Sequence, residues 1–224
     1  MRRRHFFVSA GLGAVGASIA RSRLIQAQDV GWQHDGAGTI ARFWVVTPDF
    51  DPAPESEMWA MVPRGVSIHA ARVARGAGAG RPFVEPPHVF PCTAATAALR
   101  VLGVQRLSVV HPPWFSEALN DQGLAYWRAA GFDVLQCTRL QPLRSIREVP
   151  AAEVFEFVIA HTPPAADAVL IGGNGLRAVG AIRALEARLQ KPVLSANQVV
   201  LWEALRAIGR AESVTSYGSI FRRR

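Results

Sequence analysis

The stretch of sequence most suited to chemistry is IGGNGLR, at residues 171–177. An apolar run precedes it and a helical pattern follows it, which predicts a strand, a loop with few side chains and the start of a helix. Backbone N–H groups in such a loop attract anions. The hypothesis is therefore a substrate-binding loop formed by Gly173, Asn174 and Gly175. The structural alternative is a tight turn that needs positive φ angles.

The spacing of these glycines excludes two common phosphate sites. Counted from Gly173, a dinucleotide fingerprint needs another glycine at position 178, where the chain has Ala178. A P-loop needs Gly-Lys-Ser/Thr, but Lys191 is the only lysine in the chain. What remains is bare backbone, which suits a carboxylate as readily as a phosphate.

Two more candidate side chains follow another apolar run, in VVHPPWF at residues 109–115. His111 has the chemistry of a general acid/base or of a donor to an anion, and it is the catalytic candidate that the sequence offers. Trp114 is a candidate for lining the same site. The alternative is that both residues cover the rim of a sheet.

A third candidate region is PCTAATAAL, which places Cys92 and Thr93 at the start of a predicted helix. There a hydroxyl caps the helix or binds an anion. A nucleophilic Cys92 would need a base beside it, and its neighbours in sequence supply none. Cys137 is the only other cysteine, and a disulfide between the two is an open alternative in an oxidising compartment. CxxC and Cys/His spacings are absent, so no metal site is predicted.

The elements that must position these residues alternate between strands and helices. Strands are predicted over residues 41–48, 65–73, 106–113, 132–137, 167–172 and 191–196. Helices are predicted over residues 54–62, 93–103, 116–130, 150–161, 176–190 and 197–209, the last of them capped by Asn197. This alternation predicts an α/β fold with a mostly parallel sheet, in which ligands bind beyond the carboxyl ends of the strands. Thr47 and Pro48 end the first strand and therefore join the predicted binding residues.

The charge of the chain does not indicate a nucleic-acid partner. The formal net charge is +8, but eight arginines lie in the first 28 and the last three residues. The remaining basic residues equal the 17 acidic ones in number, so the body lacks the electrostatic footprint of a phosphate-backbone binder.

The N-terminal residues have the order of an export signal. RRRHFFVSAGLGAVGASIA joins an arginine cluster to a weakly apolar run rich in small residues, which predicts a twin-arginine signal over residues 1–28 and a periplasmic protein. The apolar run is too short and too rich in glycine to span a bilayer stably. A basic tail upstream of a misassigned start codon is the alternative.

Several stretches together resemble the aspartate/glutamate racemase superfamily, in the branch of arylmalonate decarboxylase and maleate cis-trans isomerase. They are VVTPDFDPAPESE, GVSIHAARV, TAATAALRVLGVQRLSVVHPPWF, SYGSIF and, most specifically, the run from residue 169 to residue 209. The resemblance implies two pseudo-symmetric α/β lobes that bind a small carboxylic acid between them, without metal or organic cofactor. It also implies cysteines at the strand ends, which move a proton at carbon or attack an alkene.

The chain departs from the family pattern in both lobes. Gly173 stands where the second-lobe cysteine is expected, and neither cysteine of the chain falls in that loop. Residues 29–92 are interpreted as a truncated first lobe with a Pro/Gly linker, and residues 93–221 as the lobe that carries the glycine-rich loop. Two hypotheses remain. One is an exported isomerase, racemase or decarboxylase, and the other is a non-catalytic carboxylate-binding relative. A homo-oligomer also stays open.

Overall fold

The computed structural model describes residues 37–74, 89–141, 149–211 and 214–223. The predicted export signal and most of the Pro/Gly linker lie outside the described residues. Among the helices within these ranges, none combines the length and the apolar character that crossing a bilayer requires.

The first lobe is a single βαβ unit within the described residues. It consists of β1 (Ala41–Pro48), α1 (Ala53–Met61) and β2 (Val66–Val73). The two strands are parallel and in register over their full length. Pro54 lies in the first turn of α1, where a missing N–H costs no helical hydrogen bond. One face of α1 is buried against β2 and the second lobe. This packing brings the side chain of Glu57 to the glycine loop of the second lobe.

The second lobe is built on a four-stranded parallel sheet. Its elements, in chain order, are α2 (Pro91–Val101), β3 (Arg106–His111), α3 (Glu117–Ala129), β4 (Asp133–Arg139), α4 (Ala151–His161), β5 (Ala168–Ile171), α5 (Val179–Leu189), β6 (Val193–Ser195), α6 (Ala196–Ala207) and a 3-10 turn (Ser219–Arg222). The strand order is β4-β3-β5-β6. All residues of β5 and β6 are buried, as expected for a parallel sheet that is covered on both faces.

The strand order determines where a ligand would bind. From β3 the chain crosses to β4 on one side, whereas from β5 it crosses to β6 on the other side. The connections therefore leave a crevice between the carboxyl ends of β3 and β5, which is the usual ligand position in a doubly wound sheet. Pro112 follows β3 at this point, and Gly172 follows β5.

The α/β class with parallel sheets is confirmed, and so is the approximate position of each predicted element. The prediction that Asn197 caps the last α-helix, α6, is wrong. Residue Ser195 precedes the first turn of α6, and its N–H donates to Oε1 of Gln198 at 3.1 Å. Asn197 already lies inside the helix, and its side chain turns to the first lobe and to the glycine loop. α5 begins at Val179, later than predicted, because the glycine loop continues up to Ala178.

Candidate active site at the glycine loop

The glycine loop leaves β5 and turns sharply at the crevice. The N–H of Gly172 donates to the carbonyl of Val110 at 2.8 Å, which continues the pairing of β5 with β3. Gly173 has φ +82°, a conformation that favours glycine. The N–H groups of Gly173, Asn174 and Gly175 meet no acceptor in the part of the chain that the structure describes. Three backbone donors of this loop, the buried Gly175 among them, therefore have no partner in the described ranges.

The N-terminus of α5 is already capped by a carboxylate from another part of the chain. Glu57 of α1 is 5% exposed, and its Oε1 accepts from the N–H of Val179 at 2.9 Å. Burial raises the pKa of Glu57, and the hydrogen bonds from Asn197, Val179 and Ala178 oppose that rise. An anion at this site is thus confined to the loop, because the first lobe occupies the helix terminus.

Asn197 connects Glu57 to the glycine loop. Its Nδ2 donates to Oε2 of Glu57 at 2.8 Å and to the carbonyl of Asn174 at 2.7 Å. Its Oδ1 accepts from Nδ2 of Asn174 at 2.9 Å. The side chain of Asn174 is therefore engaged within the protein, and the contribution of Asn174 to an anion is its backbone N–H.

Sequence reasoning missed Glu57 and assigned Asn197 a different role. One signal was available: Ala178 precedes α5, so no Ser, Thr, Asp or Asn caps that helix from its own chain segment. A buried helix terminus without a local cap needs an acceptor from elsewhere in the fold. The sequence does not say which residue supplies it.

The structure leaves no room for a side chain at Gly173. A Cβ atom placed on Gly173 would lie 2.5 Å from Cγ and 2.8 Å from Cδ of Pro112, and both are ring atoms that cannot rotate away. The positive φ adds strain for any other residue. The position where the family resemblance places a cysteine is closed by the residue that follows β3.

His111 lies beside the loop but is enclosed. It is 4% exposed, and a Cβ atom on Gly172 would come within 2.7 Å of its Cδ2, so the ring packs directly against the loop backbone. Its Nδ1 lies 2.9 Å from Oδ1 of Asn120, and the Phe115 ring centroid is 5.0 Å from its own. Burial lowers the pKa of His111, with the hydrogen bond to Asn120 opposing this, so the neutral ring is favoured.

Cys137 is the cysteine nearest to His111. Its Sγ lies 3.7 Å from Nδ1 of His111, and burial raises its pKa to about 11, with Asp121 adding to the rise and Arg128 opposing it. At neutral pH the thiol is therefore protonated and a poor nucleophile. It faces an open groove of about 680 Å³ on the β4 side, which none of the loop residues lines. Both cysteines are free thiols.

The other predicted binding residues do not reach the loop through hydrogen bonds. The Thr47 hydroxyl is buried and donates to the carbonyl of Asp51 at 3.2 Å, and Pro48 is exposed at the end of β1. The Thr93 hydroxyl is exposed and donates to the carbonyl of Phe90 at 3.0 Å. Trp114 is half-buried against the core. Within the described ranges, no three His, Cys, Asp or Glu side chains are grouped as a metal site would require.

The sequence around this loop matches a known family. Residues 86–221, more than half of the chain, match the family model of arylmalonate decarboxylase. The chain belongs to the arylmalonate decarboxylase family. Over 141 residues it is 27% identical to arylmalonate decarboxylase of Bordetella bronchiseptica. The matched part is 59% of this chain and spans 58% of the length of that enzyme.

Solved structures share the fold at lower sequence identity. The maleate isomerase of Pseudomonas putida superimposes with a TM-score of 0.69 at 19% identity, over 80% of this chain and 97% of its own. A Nocardia farcinica maleate cis-trans isomerase variant with a covalently bound succinylcysteine intermediate gives a TM-score of 0.68 at 18% identity, over 81% of this chain and 98% of its own. An arylmalonate decarboxylase structure gives 0.52 at 21% identity, over 72% and 62%. These structural matches confirm the predicted fold, and the family model together with the curated relative confirms the predicted branch.

Proposed function

We propose that this family member binds a small carboxylic acid at the loop formed by Gly173, Asn174 and Gly175, and that it does so without the cysteine chemistry of its relatives. Three observations support the proposal. The loop offers backbone N–H groups without a partner among the described residues, and it lies at the crevice between β3 and β5. The chain belongs to a family named for a decarboxylase. Backbone donors of this kind neutralise a carboxylate without a metal or an organic cofactor.

The observation that carries the proposal is the contact between Gly173 and Pro112. In the Nocardia farcinica relative, a cysteine carries a succinyl group in the bound intermediate. At Gly173, where the resemblance to the family leads us to expect a cysteine, this chain has neither the side chain nor the space for one. Cys137 is on another strand, with its thiol protonated at neutral pH, and Cys92 is exposed at the start of α2.

A cofactor-independent isomerase, racemase or decarboxylase is the second candidate, and one observation favours it. His111 packs against Gly172, directly before the three loop donors, and its Nδ1 is held by Asn120. A neutral histidine in such a place could exchange a proton with a substrate that displaces the residues around it. The enclosure of the ring counts against this candidate, because a general base must reach the proton it abstracts.

Incubation in D₂O distinguishes the two candidates. The full chain is mixed with maleate, with an arylmalonate and with α-chiral acids, while deuterium incorporation, CO₂ release and the thermal midpoint are followed. Binding alone predicts a raised midpoint without deuterium uptake or CO₂. Turnover that disappears in His111→Gln would establish the enzyme instead. A midpoint that no carboxylate changes would contradict both.

We also propose, from residues 1–28 alone, that the chain is exported to the periplasm. The test is a fusion of these residues to a reporter that is active only after export. Replacement of Arg2, Arg3 and Arg4 by lysine should retain the reporter in the cytoplasm if the twin-arginine route is used. Export that persists in this variant would contradict the proposed route.

A further inference from the structure

A carboxylate bound by the glycine loop would share its surroundings with a carboxylate that the chain already has there. Glu57 reaches the loop from the first lobe, and one amide nitrogen, Nδ2 of Asn197, joins its Oε2 to the carbonyl of Asn174. The N–H of Asn174 belongs to the group of donors that would hold the ligand. The two negative charges would therefore lie on opposite sides of one short loop.

We propose that carboxylate binding at the loop is coupled to the uptake of a proton by Glu57. The inference rests on the proposed carboxylate-binding function and adds to it a regulation by pH. Two carboxylates that share one partly buried site resist simultaneous ionisation, so the arrival of the ligand favours protonation of the chain's own group. By linkage, a protonated Glu57 favours the ligand to the same extent, and the affinity falls as the pH rises.

The groups around Glu57 do not cancel this repulsion. α5 presents the N–H groups of Val179 and Ala178, and α6 presents Asn197, all of them neutral. Among the described residues, Arg177 in the loop before α5 is the cation that acts on Glu57, and it is an exposed side chain whose field water screens. Glu57 itself is buried, and it already holds a proton more readily than an exposed glutamate does.

The hydrogen bonds of Glu57 oppose its protonation, but protonation does not break all of them. Each carboxylate oxygen accepts a hydrogen bond, Oε1 from Val179 and Oε2 from Asn197. A proton on one oxygen replaces one of these two bonds, while the other is kept. The first lobe therefore stays attached to α5 or to α6 in both protonation states, and the ligand can change the charge without detaching the lobe.

His111 is the second titratable group beside the loop, and proton uptake by this ring is the alternative explanation that the experiment must exclude. It packs against Gly172, whereas Glu57 acts through Asn174. The variants Glu57→Gln and His111→Gln separate the two, because each removes one titration and leaves the other. Gln at position 57 keeps one acceptor oxygen and the shape of the side chain.

The experiment is calorimetric titration of the full chain with maleate and with malonate, at about pH 5.5 and about pH 7.5. Two buffers of different ionisation enthalpy, neither with a carboxylate or a phosphate, give the number of protons taken up. We expect proton uptake and an affinity roughly tenfold higher at the lower pH. Glu57→Gln should bind with a nearly flat pH profile, while His111→Gln should retain the profile of the unaltered chain.

A carbon-13 NMR measurement on the unaltered chain tests the coupling if Glu57→Gln does not fold. At a fixed pH, saturating ligand should move the side-chain carboxyl resonance of Glu57 towards its protonated position. Ligand binding without proton uptake, or uptake that persists in Glu57→Gln, would overturn the coupling and leave the proposed function intact. Absence of any carboxylate binding would instead overturn the proposed function, and the coupling with it.

Discussion

Pro112 lies against Gly173, so that a Cβ atom on the glycine would come within 2.5 Å of the proline ring. The two residues follow β3 and β5, which are neighbours in the sheet, and they meet at the crevice where a doubly wound sheet binds its ligand. The contact accounts for the absence of a thiol in the loop. It also means that one substitution cannot place a cysteine at this position without a clash.

The first prediction concerns Gly173→Cys. We expect a loss of about 2–4 kcal/mol in the free energy of unfolding, because the new side chain meets Pro112 and adopts a positive φ. We expect no gain of racemase, isomerase or decarboxylase activity. Denaturant unfolding and the D₂O assay check the two parts.

A matched control is Gly180→Cys, in α5. A Cβ atom there meets nothing within 4 Å and the backbone is helical, so stability should stay the same or rise slightly. Removal of the ring in the double variant Pro112→Ala, Gly173→Cys should recover part of the loss. A Gly173→Cys protein as stable as the Gly180→Cys control, with thiol-dependent turnover, would show that the loop does accommodate a nucleophile.

The second prediction concerns Asn197. Its side chain is 1% exposed and hydrogen-bonds both to Glu57 and to Asn174, so Asn197→Ala leaves buried polar atoms without partners. We expect a loss of about 2–4 kcal/mol in the free energy of unfolding and a weaker affinity for carboxylates. Asn197→Asp should cost at least as much near neutral pH, since it places a second carboxylate against Glu57. A stable Asn197→Ala with unchanged affinity would mean that the loop holds its shape without this residue.

The third prediction follows from the raised pKa of Glu57. In the folded chain Glu57 holds its proton more tightly than in the unfolded chain, where its pKa is near 4.5. The protonated group therefore stabilises the fold in full below that pH. This contribution is lost as the pH rises through the pKa of the folded state. The free energy of unfolding should therefore fall relative to that of Glu57→Gln over this interval, by up to about 1.4 kcal/mol per pH unit. Chemical denaturation at a series of pH values measures the difference, and a difference that moves the other way contradicts the environment described for Glu57.

The fourth prediction concerns thiol reactivity. Burial raises the pKa of both thiols, to about 11 at Cys137, so the Cys137 thiolate is scarce at neutral pH. Cys92 is the exposed one of the two. Alkylation should modify Cys92 first, and the rate at Cys137 should rise about tenfold for each pH unit below that pKa. Mass spectrometry of the Cys92→Ser and Cys137→Ser variants assigns the rates. Fast labelling of Cys137 near neutral pH would indicate an activated thiol and would support the enzymatic function over binding alone.

Much of the fold could be predicted from the sequence because its signals are local. The predicted β1 has the same ends as the observed strand, and the periodicity of α3 and α4 places both helices within one or two residues. The errors lie at two element ends, one set by local prolines and the other by a tertiary contact. β3 ends at His111 because prolines follow it, and α5 starts late because Glu57, rather than a neighbouring residue, caps it.

The site was only half predictable for the same reason. The glycine loop is a continuous motif that the sequence displays directly, but its most informative contacts join distant parts of the chain. Glu57 and Val179 are 122 positions apart, and Pro112 meets Gly173 only because β3 and β5 are adjacent. The enclosure of His111 depends on the missing side chains at Gly123 and Gly172, a relation that sequence spacing does not reveal.

The most direct measurement of the central claim is an NMR titration of the full chain with maleate, in which protein and ligand spectra are recorded on one sample. If the loop binds a carboxylate and performs no chemistry on it, the backbone amide resonances of Gly173, Asn174 and Gly175 shift and saturate, while no product signal appears in the ligand spectrum. Unchanged loop amides at saturating maleate, or the growth of a fumarate signal, would contradict the account.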